Sequence, residues 1–323
     1  MADQVLIALC SSAVIKYMVL YFGHRRRPSN AKLVGKVTGI WFYPVKSLKG
    51  TSLKEATFTP EGLKPIKGAV LDRHFLVCNP ENGAFLTQRQ EPKMVLVSAI
   101  IDEEARSLVC KAPGMEDLLV PLEGYRGSPV VNCRVWDDRL QGLHCGEEAE
   151  KWFTKYLGRR ACLLYSRGLE KRNLNELKTT AKLHPLTEPQ DKVAYADLAP
   201  YLLTTDASLA DLNSKLVRQL PMQNFRPNIV VDASKAFEED DWDLIYIGDI
   251  KFRNIKPCGR CRMTTNDQET GVKDPTQEPL MTLKKYRTKS GYPGEVFFGI
   301  NLCSTFSGTI ATGQPVYATM KAK

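Results

Sequence analysis

The sequence predicts a β-rich mixed α/β fold of the α+β type, and three observations support this class. Most apolar runs between residues 33 and 166 are short or alternate with polar residues, as β-strands do. Turn-forming pairs such as Asn79-Pro80 and Asn82-Gly83 separate these runs. Few segments repeat apolar residues at helical spacing. The composition, 43% hydrophobic and 25% charged over 323 residues, is that of a folded globular chain long enough for two domains.

The N-terminal half predicts mainly antiparallel sheet and one helix. The helix covers residues 147–157, because Ala149, Trp152, Phe153 and Tyr156 share one face, and Gly158 ends it. The predicted strands, in chain order, are 33–45, 56–59, 70–78, 84–87, 94–101, 107–110 and 130–135.

The C-terminal half predicts two further helices among strands. Asp206 is expected to cap a helix in which Leu209, Leu212, Leu216 and Leu220 repeat at helical spacing. Pro279 is expected to open a short helix that reaches Arg287. The predicted strands are 228–232, 244–247, 251–255, 296–302 and 315–318.

An apolar segment at residues 5–22 predicts a single membrane anchor. At about 1.5 Å per residue it is just long enough to cross a hydrocarbon core. Arg25, Arg26 and Arg27 follow it, which indicates an uncleaved anchor with the body on the cytosolic side. Lys16 lies inside the segment, so an interfacial helix or a matrix presequence stays an alternative.

Changes in composition along the chain suggest where domains begin and end. The charged and polar stretch over residues 167–192 has few apolar anchors and predicts a crossover between two domains. The predicted plan is an anchor and linker over residues 1–32, a β-rich domain over 33–166, a linker over 167–192 and a second domain over 193–323.

Charge and cysteine usage limit the classes of function. The formal charge of +9 favours anionic partners, but the basic residues are scattered, which argues against a nucleic-acid-binding stripe. Nine cysteines, an odd number set mostly inside apolar runs, indicate reduced thiols in a cytosol-like compartment.

Cys258 and Cys261 form a CxxC pair among Lys256, Arg260 and Arg262, whose positive charges favour a thiolate. A zinc site would need two further ligands, and His144 and Cys145 are the only candidates. A thioredoxin-like site would need a helix after the pair, where the sequence is rich in turn residues. The third interpretation is one soft thiolate that binds a soft transition metal. The residues alone leave all three open.

Several ordered motifs resemble the MOSC-domain family, and in particular its membrane-anchored amidoxime-reducing members, over residues 33–320. These motifs are YPVKS at 43–47, LDR at 71–73, RQEP at 89–92, ASLADLN at 207–213, NFRPNI at 224–229 and the CxxC region at 258–265. The resemblance implies a MOSC β-barrel-like domain preceded by a MOSC-type N-terminal β-rich domain behind the anchor.

The resemblance also implies the molybdenum cofactor, Mo-molybdopterin, with Cys261 as metal ligand and catalytic residue. Cations and backbone donors suit the phosphate of the pterin. Arg89 is a further candidate for the site, although a structural ion pair is an equal alternative, and Cys258 is left out of the ligand set. The implied cofactor-binding residues are Lys46, Ser47, Arg73, Arg226, Asn228 and Cys261, with Thr205, Asp206 and Ser208 as helix-start donors.

The implied activity is reduction of amidoximes, hydroxylamines and N-oxides, with nitrite as a further candidate substrate. The chain has no dinucleotide-binding GxGxxG after a strand and no CxxCH haem motif, so electrons must come from a partner. The resemblance points to NADH, cytochrome b-five and its reductase at the mitochondrial outer membrane, with the peroxisome as a second location. The alternative from another class is a membrane-tethered sulfur-carrier or zinc-binding module without turnover.

Overall fold

The computed structural model describes residues 27–176 and 187–322. The predicted anchor over residues 5–22 therefore lies outside the described residues. Within the described ranges, no helix combines the length and the apolar character needed to cross a membrane.

The described residues form three α-helices and twenty strands. The helices are α1 (Glu147–Leu157), α2 (Asp206–Asn213) and α3 (Leu280–Tyr286). The strands β1 to β20 are, in order, Lys32–Phe42, Thr51–Leu53, Glu55–Thr59, Gly62–Lys64, Phe75–Cys78, Ser98–Asp102, Ser107–Lys111, Leu118–Pro121, Val130–Val135, Asp138–His144, Cys162–Tyr165, Arg172–Asn173, Lys192–Val193, Tyr201–Thr205, Ile229–Val231, Trp242–Ile247, Ile250–Gly259, Phe297–Ser304, Gly308–Ala311 and Pro315–Met320.

Seven strands close into a barrel in the order β15-β14-β18-β17-β16-β20-β1, because β1 also pairs with β15. Strand β1 is antiparallel to both of its barrel neighbours, with Lys32 opposite Ala318 and Ile40 opposite Ile229. Each of the seven barrel strands therefore has a neighbour on both sides, while the short β2 pairs only with β1. Since β1 comes from the N-terminal part of the chain, the predicted segments 33–166 and 193–323 share one barrel. The domain boundaries themselves stay a prediction.

The remainder of the N-terminal part is built from smaller antiparallel sheets. Strands β5-β11-β10-β9 form one sheet, β6-β7-β8 a second and β19-β3-β4 a third. Helix α1 has the predicted bounds, buries Ala149, Trp152 and Phe153, and ends at Gly158, whose φ of 69° is left-handed. The predicted α3 is confirmed as well, between Pro279 and Arg287.

Four predicted strands are only partly correct. The strand predicted over residues 33–45 ends at Phe42. Of residues 70–78, only Phe75–Cys78 form a strand, because residues 72–73 make a turn. Of residues 84–87, only Ala84 and Phe85 pair, each in an isolated bridge. Within 94–101, a 3₁₀ helix spans Pro92–Leu96 before β6 begins, since proline at its first position favours a helical start.

Helix α2 is shorter than predicted, and its cap is a different residue. The side chain of Thr205, not Asp206, accepts a hydrogen bond from the Ser208 backbone N–H. The helix ends at Asn213, whose side chain donates to the Leu220 carbonyl over 3.0 Å and accepts from its N–H over 2.9 Å. These bonds fold the following segment back, so the leucine pattern does not continue as helix.

The barrel core is aromatic and fixes where the loops emerge. The rings of Phe58, Tyr201 and Phe252 contact one another with centroid distances of 5.3 to 6.0 Å. Such packing is stiff and holds strand ends in place. Four segments that carry predicted site residues meet at one region: the end of β1, the start of β5, the start of β15 and the end of β17.

Candidate active site

The YPVKS segment leaves β1 and turns towards β5. Lys46 donates its backbone N–H to the Phe75 carbonyl over 2.9 Å. Its ammonium is buried and forms an ion pair with Asp197 over 2.7 Å. Ser47 has a left-handed φ of 67° and is also buried. This turn therefore places one cation and one hydroxyl inside the structure.

Arg73, Arg226 and Asn228 come together although they belong to two distant motifs. Arg73 donates to the Asn228 side-chain oxygen and to the Arg226 carbonyl, both over 3.1 Å. It also pairs with the buried Asp72, which accepts from the backbone N–H of Tyr43 over 2.7 Å. Arg226 donates to the Leu48 carbonyl over 2.6 Å. The predicted cofactor-binding arginines thus form one cluster.

The ring of Tyr43 contacts both guanidinium groups. The Cζ atoms of Arg226 and Arg73 lie 4.3 Å and 4.7 Å from the ring centroid. Burial raises the pKa of Tyr43 to about 12, so its hydroxyl stays neutral. A side chain at Gly50 would collide with this ring, since an added Cβ would overlap Cε1 of Tyr43. The absence of a side chain at Gly50 therefore leaves room for the ring of Tyr43.

The CxxC pair lies at the end of β17, as predicted. Arg89 donates from Nε to the sulfur of Cys261 over 3.1 Å, and Arg260 donates to the sulfur of Cys258 over 3.0 Å. Cys261 precedes a 3₁₀ helix at Arg262–Thr265, and both cysteines are partly exposed. Each sulfur therefore has a guanidinium partner. In the described part of the chain, no three His, Cys, Asp or Glu side chains are grouped for metal binding.

Asp197 connects Lys46 with Arg89, the residue that contacts Cys261. One of its oxygens accepts from Lys46 and, over 3.0 Å, from the indole N–H of Trp136, while the other lies 3.9 Å from Arg89. Desolvation opposes ionisation of Asp197, but the charges of Lys46 and Arg89 outweigh it and hold its pKa well below the usual range. Burial lowers the pKa of Lys46 to about 8, although Asp197 opposes this shift.

Backbone conformation also distinguishes this region. Among the described residues, seven non-glycine positions have a positive φ, and four of them, Ser47, Arg73, Trp136 and Arg226, lie in this cluster. Each such residue costs about 1–3 kcal/mol, and these conformations concentrate at functional sites. The fold therefore holds these side chains at an energetic cost.

Thr205, Asp206 and Ser208 lie elsewhere. Asn228 is beside Leu202 at one end of β14, whereas Thr205 ends that strand at the other. Ser208 and Thr205 donate to the buried Glu239 over 2.9 Å and 3.2 Å, and Asp206 accepts from Thr38. The structure does not bring these three residues to the cluster, and their polar atoms serve the helix start instead.

Sequence reasoning did not find Asp197, Trp136 and Tyr43 as site residues. Tyr43 stands in the YPVKS motif, so its position was a usable signal. Asp197 is a single acid in a loop after the charged stretch, and Trp136 follows a predicted strand directly. Neither has a pattern that separates it from an ordinary surface residue.

The fold combines a closed barrel with a β-rich N-terminal part that contributes strand β1. A cationic cluster and a cysteine lie together where the barrel strands begin or end. These features define a MOSC-type protein. The family model described as "MOSC N-terminal beta barrel domain" matches residues 34–160, and the model described as "MOSC domain" matches residues 190–317. The chain belongs to this family.

Its relatives place it within one branch of the family. The chain is 40% identical to "Mitochondrial amidoxime reducing component 2" of Bos taurus over 302 residues, which cover 91% of this chain and 85% of that protein. The human protein of the same name is 40% identical over 297 residues, with 90% and 86% covered. Human "Mitochondrial amidoxime-reducing component 1" is 38% identical over 299 residues, with 90% and 85% covered.

Proposed function

We propose that this chain is a molybdenum-cofactor oxidoreductase that reduces N-hydroxylated compounds, namely amidoximes, hydroxylamines and N-oxides. The relatives are named for amidoxime reduction, and they match nearly the whole chain. The observation that carries the proposal is the sulfur of Cys261, held by Arg89 beside a cluster of buried and partly buried cations. A soft thiolate suits molybdenum, and fixed cations suit an anionic cofactor.

Unpaired polar atoms in the cluster test whether the residues fit this cofactor. Within the described structure, Ser47 Oγ, Tyr43 OH, Arg226 Nη2 and Arg260 Nε are buried without a hydrogen-bond partner. An unpaired buried group costs about 1–3 kcal/mol, so such atoms are usually satisfied by a protein group, ordered water or a bound ligand. Three of the four are donors on cations or a serine hydroxyl, which match phosphate and pterin oxygens. The residues therefore fit the group.

The charge of the cluster agrees with an anionic ligand. Five cations, namely Lys46, Arg73, Arg89, Arg226 and Arg260, face the two carboxylates Asp72 and Asp197. The formal surplus is therefore three positive charges. Burial lowers the pKa of Arg226 only to about 10, so this guanidinium stays charged at neutral pH.

Each residue then has a defined part in the reaction. When bound, the cofactor would supply a metal that passes two electrons to the N–O bond, and two protons complete the reduction so that the oxygen leaves as water. Cys261 would ligate that metal, and Arg89 orients its sulfur and compensates its charge. Ser47, Arg73, Arg226 and Asn228 would hold the pterin phosphate. Lys46 keeps a proton on Nζ at neutral pH and is fixed there by Asp197.

The electron source and the location are further parts of the proposal. Cytochrome b-five and its NADH-dependent reductase would deliver electrons, because the net charge of +9 suits an acidic haem protein. The enzyme would be held at the mitochondrial outer membrane by the segment at residues 5–22, with its body in the cytosol. Nitrite is a further proposed substrate.

Elemental analysis of the purified full chain tests this proposal. The chain is produced in a host that makes the molybdenum cofactor, and its metal content is measured beside turnover of benzamidoxime. Near-stoichiometric molybdenum with reduction to benzamidine is the expected result. Zinc or no metal, in cells whose cofactor synthesis is shown to be active, would favour the sulfur-carrier or zinc-binding alternative.

A further inference from the structure

A polar cavity lies apart from the Cys261 site. It has a volume of about 540 Å³ and opens between the sheets β5-β11-β10-β9 and β6-β7-β8. The loop before β5, the turn between β6 and β7, and the segment after β11 form its walls. No residue of the proposed cofactor cluster is part of this lining.

Two buried polar side chains, His74 and Ser166, belong to the cavity lining. Strands β5 and β11 are antiparallel with Phe75 opposite Tyr165, so His74 and Ser166 are neighbours at the strand ends. The Ser166 N–H donates to the His74 carbonyl over 3.0 Å. Their side chains are 6% and 3% exposed, and His74 Nε2 and Ser166 Oγ have no hydrogen-bond partner in the described structure. Two polar groups are thus buried at a cost that a ligand would offset.

The walls carry more positive than negative charge. Four basic residues line the cavity, Lys67, Arg106, Arg167 and Lys171, with two acidic ones, Glu103 and Glu123. Arg106 is paired with Glu123, and Lys171 with Glu61 outside the lining. Arg167 donates to the Leu122 carbonyl over 2.6 Å.

Lys67 and Arg167 remain as positive charges and Glu103 as a negative one, which leaves one positive charge in excess. Neither Lys67 nor Arg167 forms an ion pair with any residue of the described ranges. The Ser166 N–H bond to His74 and the left-handed Gly168, with a φ of 70°, fix the turn that carries Arg167 along the wall. A rim with a net positive charge above two neutral donors is an arrangement that attracts anions.

We propose that this cavity binds a small oxyanion, either inorganic phosphate or the phosphate or carboxylate end of a metabolite. Lys67 and Arg167 supply charge at the rim, and Ser166 and His74 supply hydrogen bonds at the base. Burial and the nearby Lys171 lower the pKa of His74 to about 3, so the ring stays neutral and keeps one N–H to donate. A doubly charged oxygen ligand accepts from both kinds of donor.

Calorimetric titration of the full chain with inorganic phosphate, at constant ionic strength in chloride, tests the site. The double variant Lys67→Gln/Arg167→Gln is expected to bind phosphate at least ~10-fold more weakly, since it removes both charged donors at the rim. The matched control Lys155→Gln/Lys284→Gln removes two exposed charges outside the cavity and is expected to bind as the parent does. Unchanged affinity in the first variant would overturn the proposal.

Two further measurements separate this cavity from the cofactor cluster and identify the ligand. An Arg226→Gln variant is expected to keep phosphate binding, whereas loss of binding there would assign the anion to the cofactor cluster and overturn the proposal. Acetate and citrate titrations distinguish carboxylate from phosphate ligands, and no binding of any of the three contradicts the site. Ring ¹⁵N NMR, assigned with His74→Gln, is expected to show that phosphate shifts the His74 resonance; an unmoved resonance also contradicts it.

Discussion

The guanidinium of Arg89 donates a hydrogen bond to the sulfur of Cys261 over 3.1 Å, although the two residues are 172 positions apart in the chain. Arg89 belongs to a loop of the N-terminal part, and Cys261 follows a barrel strand. The same guanidinium stacks over the Trp136 ring, with Cζ 4.4 Å from its centroid. The N-terminal part therefore orients the sulfur that the barrel presents, and the site requires both parts of the chain.

Replacing Arg89 by methionine should impair turnover without unfolding the protein. The substitution keeps much of the side-chain volume but removes the charged donor to Cys261, and residues that orient a metal ligand typically change activity by about 10–100-fold. Benzamidoxime reduction, normalised to molybdenum content, measures the effect. Arg159→Met is the control, because Arg159 pairs with the nearby Glu91 and does not contact the sulfur. Equal turnover in both variants would contradict this role of Arg89.

The two cysteines of the CxxC pair should behave differently. Cys261→Ser should lose molybdenum and abolish turnover, because serine replaces the soft thiolate with a hard hydroxyl. Cys258→Ser should be far milder, since its sulfur contacts Arg260 and lies outside the proposed ligand set. Metal analysis and turnover of both variants decide the assignment. A Cys261→Ser protein with full molybdenum-dependent activity would refute it.

The motifs named residues that the structure brings together, because these motifs lie where strands begin or end. Ser47, Arg73 and Arg226 each occupy a left-handed turn next to a strand, and the closed barrel brings those turns together. A single chain position does not reveal such pairing, since Arg73 and Asn228 meet only through long-range registers. Asp197 was missed for this reason: its partners Lys46, Arg89 and Trp136 come from three other segments.

Local sequence signals worked for some elements and failed for others. Helix α1 was predicted to the residue, because its apolar face and Gly158 are both local features. The extension of α2 to Leu220 was wrong, because the Asn213 side chain bonds the Leu220 backbone and overrides the leucine spacing. The sharing of β1 between both halves depends on closure of the barrel, which no local pattern encodes.

Asp197→Asn should shift the pH dependence of the site towards acid. In the parent, burial lowers the pKa of Lys46 to about 8 while Asp197 opposes that shift, so the positive charge declines as pH rises through about 8. Without the Asp197 carboxylate, Lys46 should lose its proton at lower pH. Molybdenum retention between pH 6 and 9 measures this, with Asp117→Asn, an exposed acid paired with Lys111, as the control. Coincident profiles for parent and Asp197→Asn would contradict the prediction.

Electron delivery from cytochrome b-five should slow as salt is added. Long-range attraction between the chain, with its net charge of +9, and an acidic partner is screened at high ionic strength. Stopped-flow reoxidation of the reduced haem protein, at increasing sodium chloride, gives the association rate directly. Turnover with a small uncharged reductant is the control and should not change. A haem reoxidation rate that does not change with the sodium chloride concentration would contradict electrostatic docking.

Glu239 should make the protein less stable as pH rises from acid to neutral. Its carboxyl is fully buried, and burial raises its pKa from 4.5 to about 7. Between these values the folded state keeps a proton that the unfolded chain has lost, so the free energy of unfolding falls as pH rises through this window and is level above it. Glu239→Gln cannot lose that proton and keeps the contacts to Ser208 and Thr205. Urea unfolding should therefore show that the variant, relative to parent, gains on the order of 2 kcal/mol between pH 5 and pH 8. The control Glu104→Gln, at an exposed residue, should show no such gain. If parent and Glu239→Gln have the same pH dependence, Glu239 ionises normally in the folded protein and the prediction is wrong.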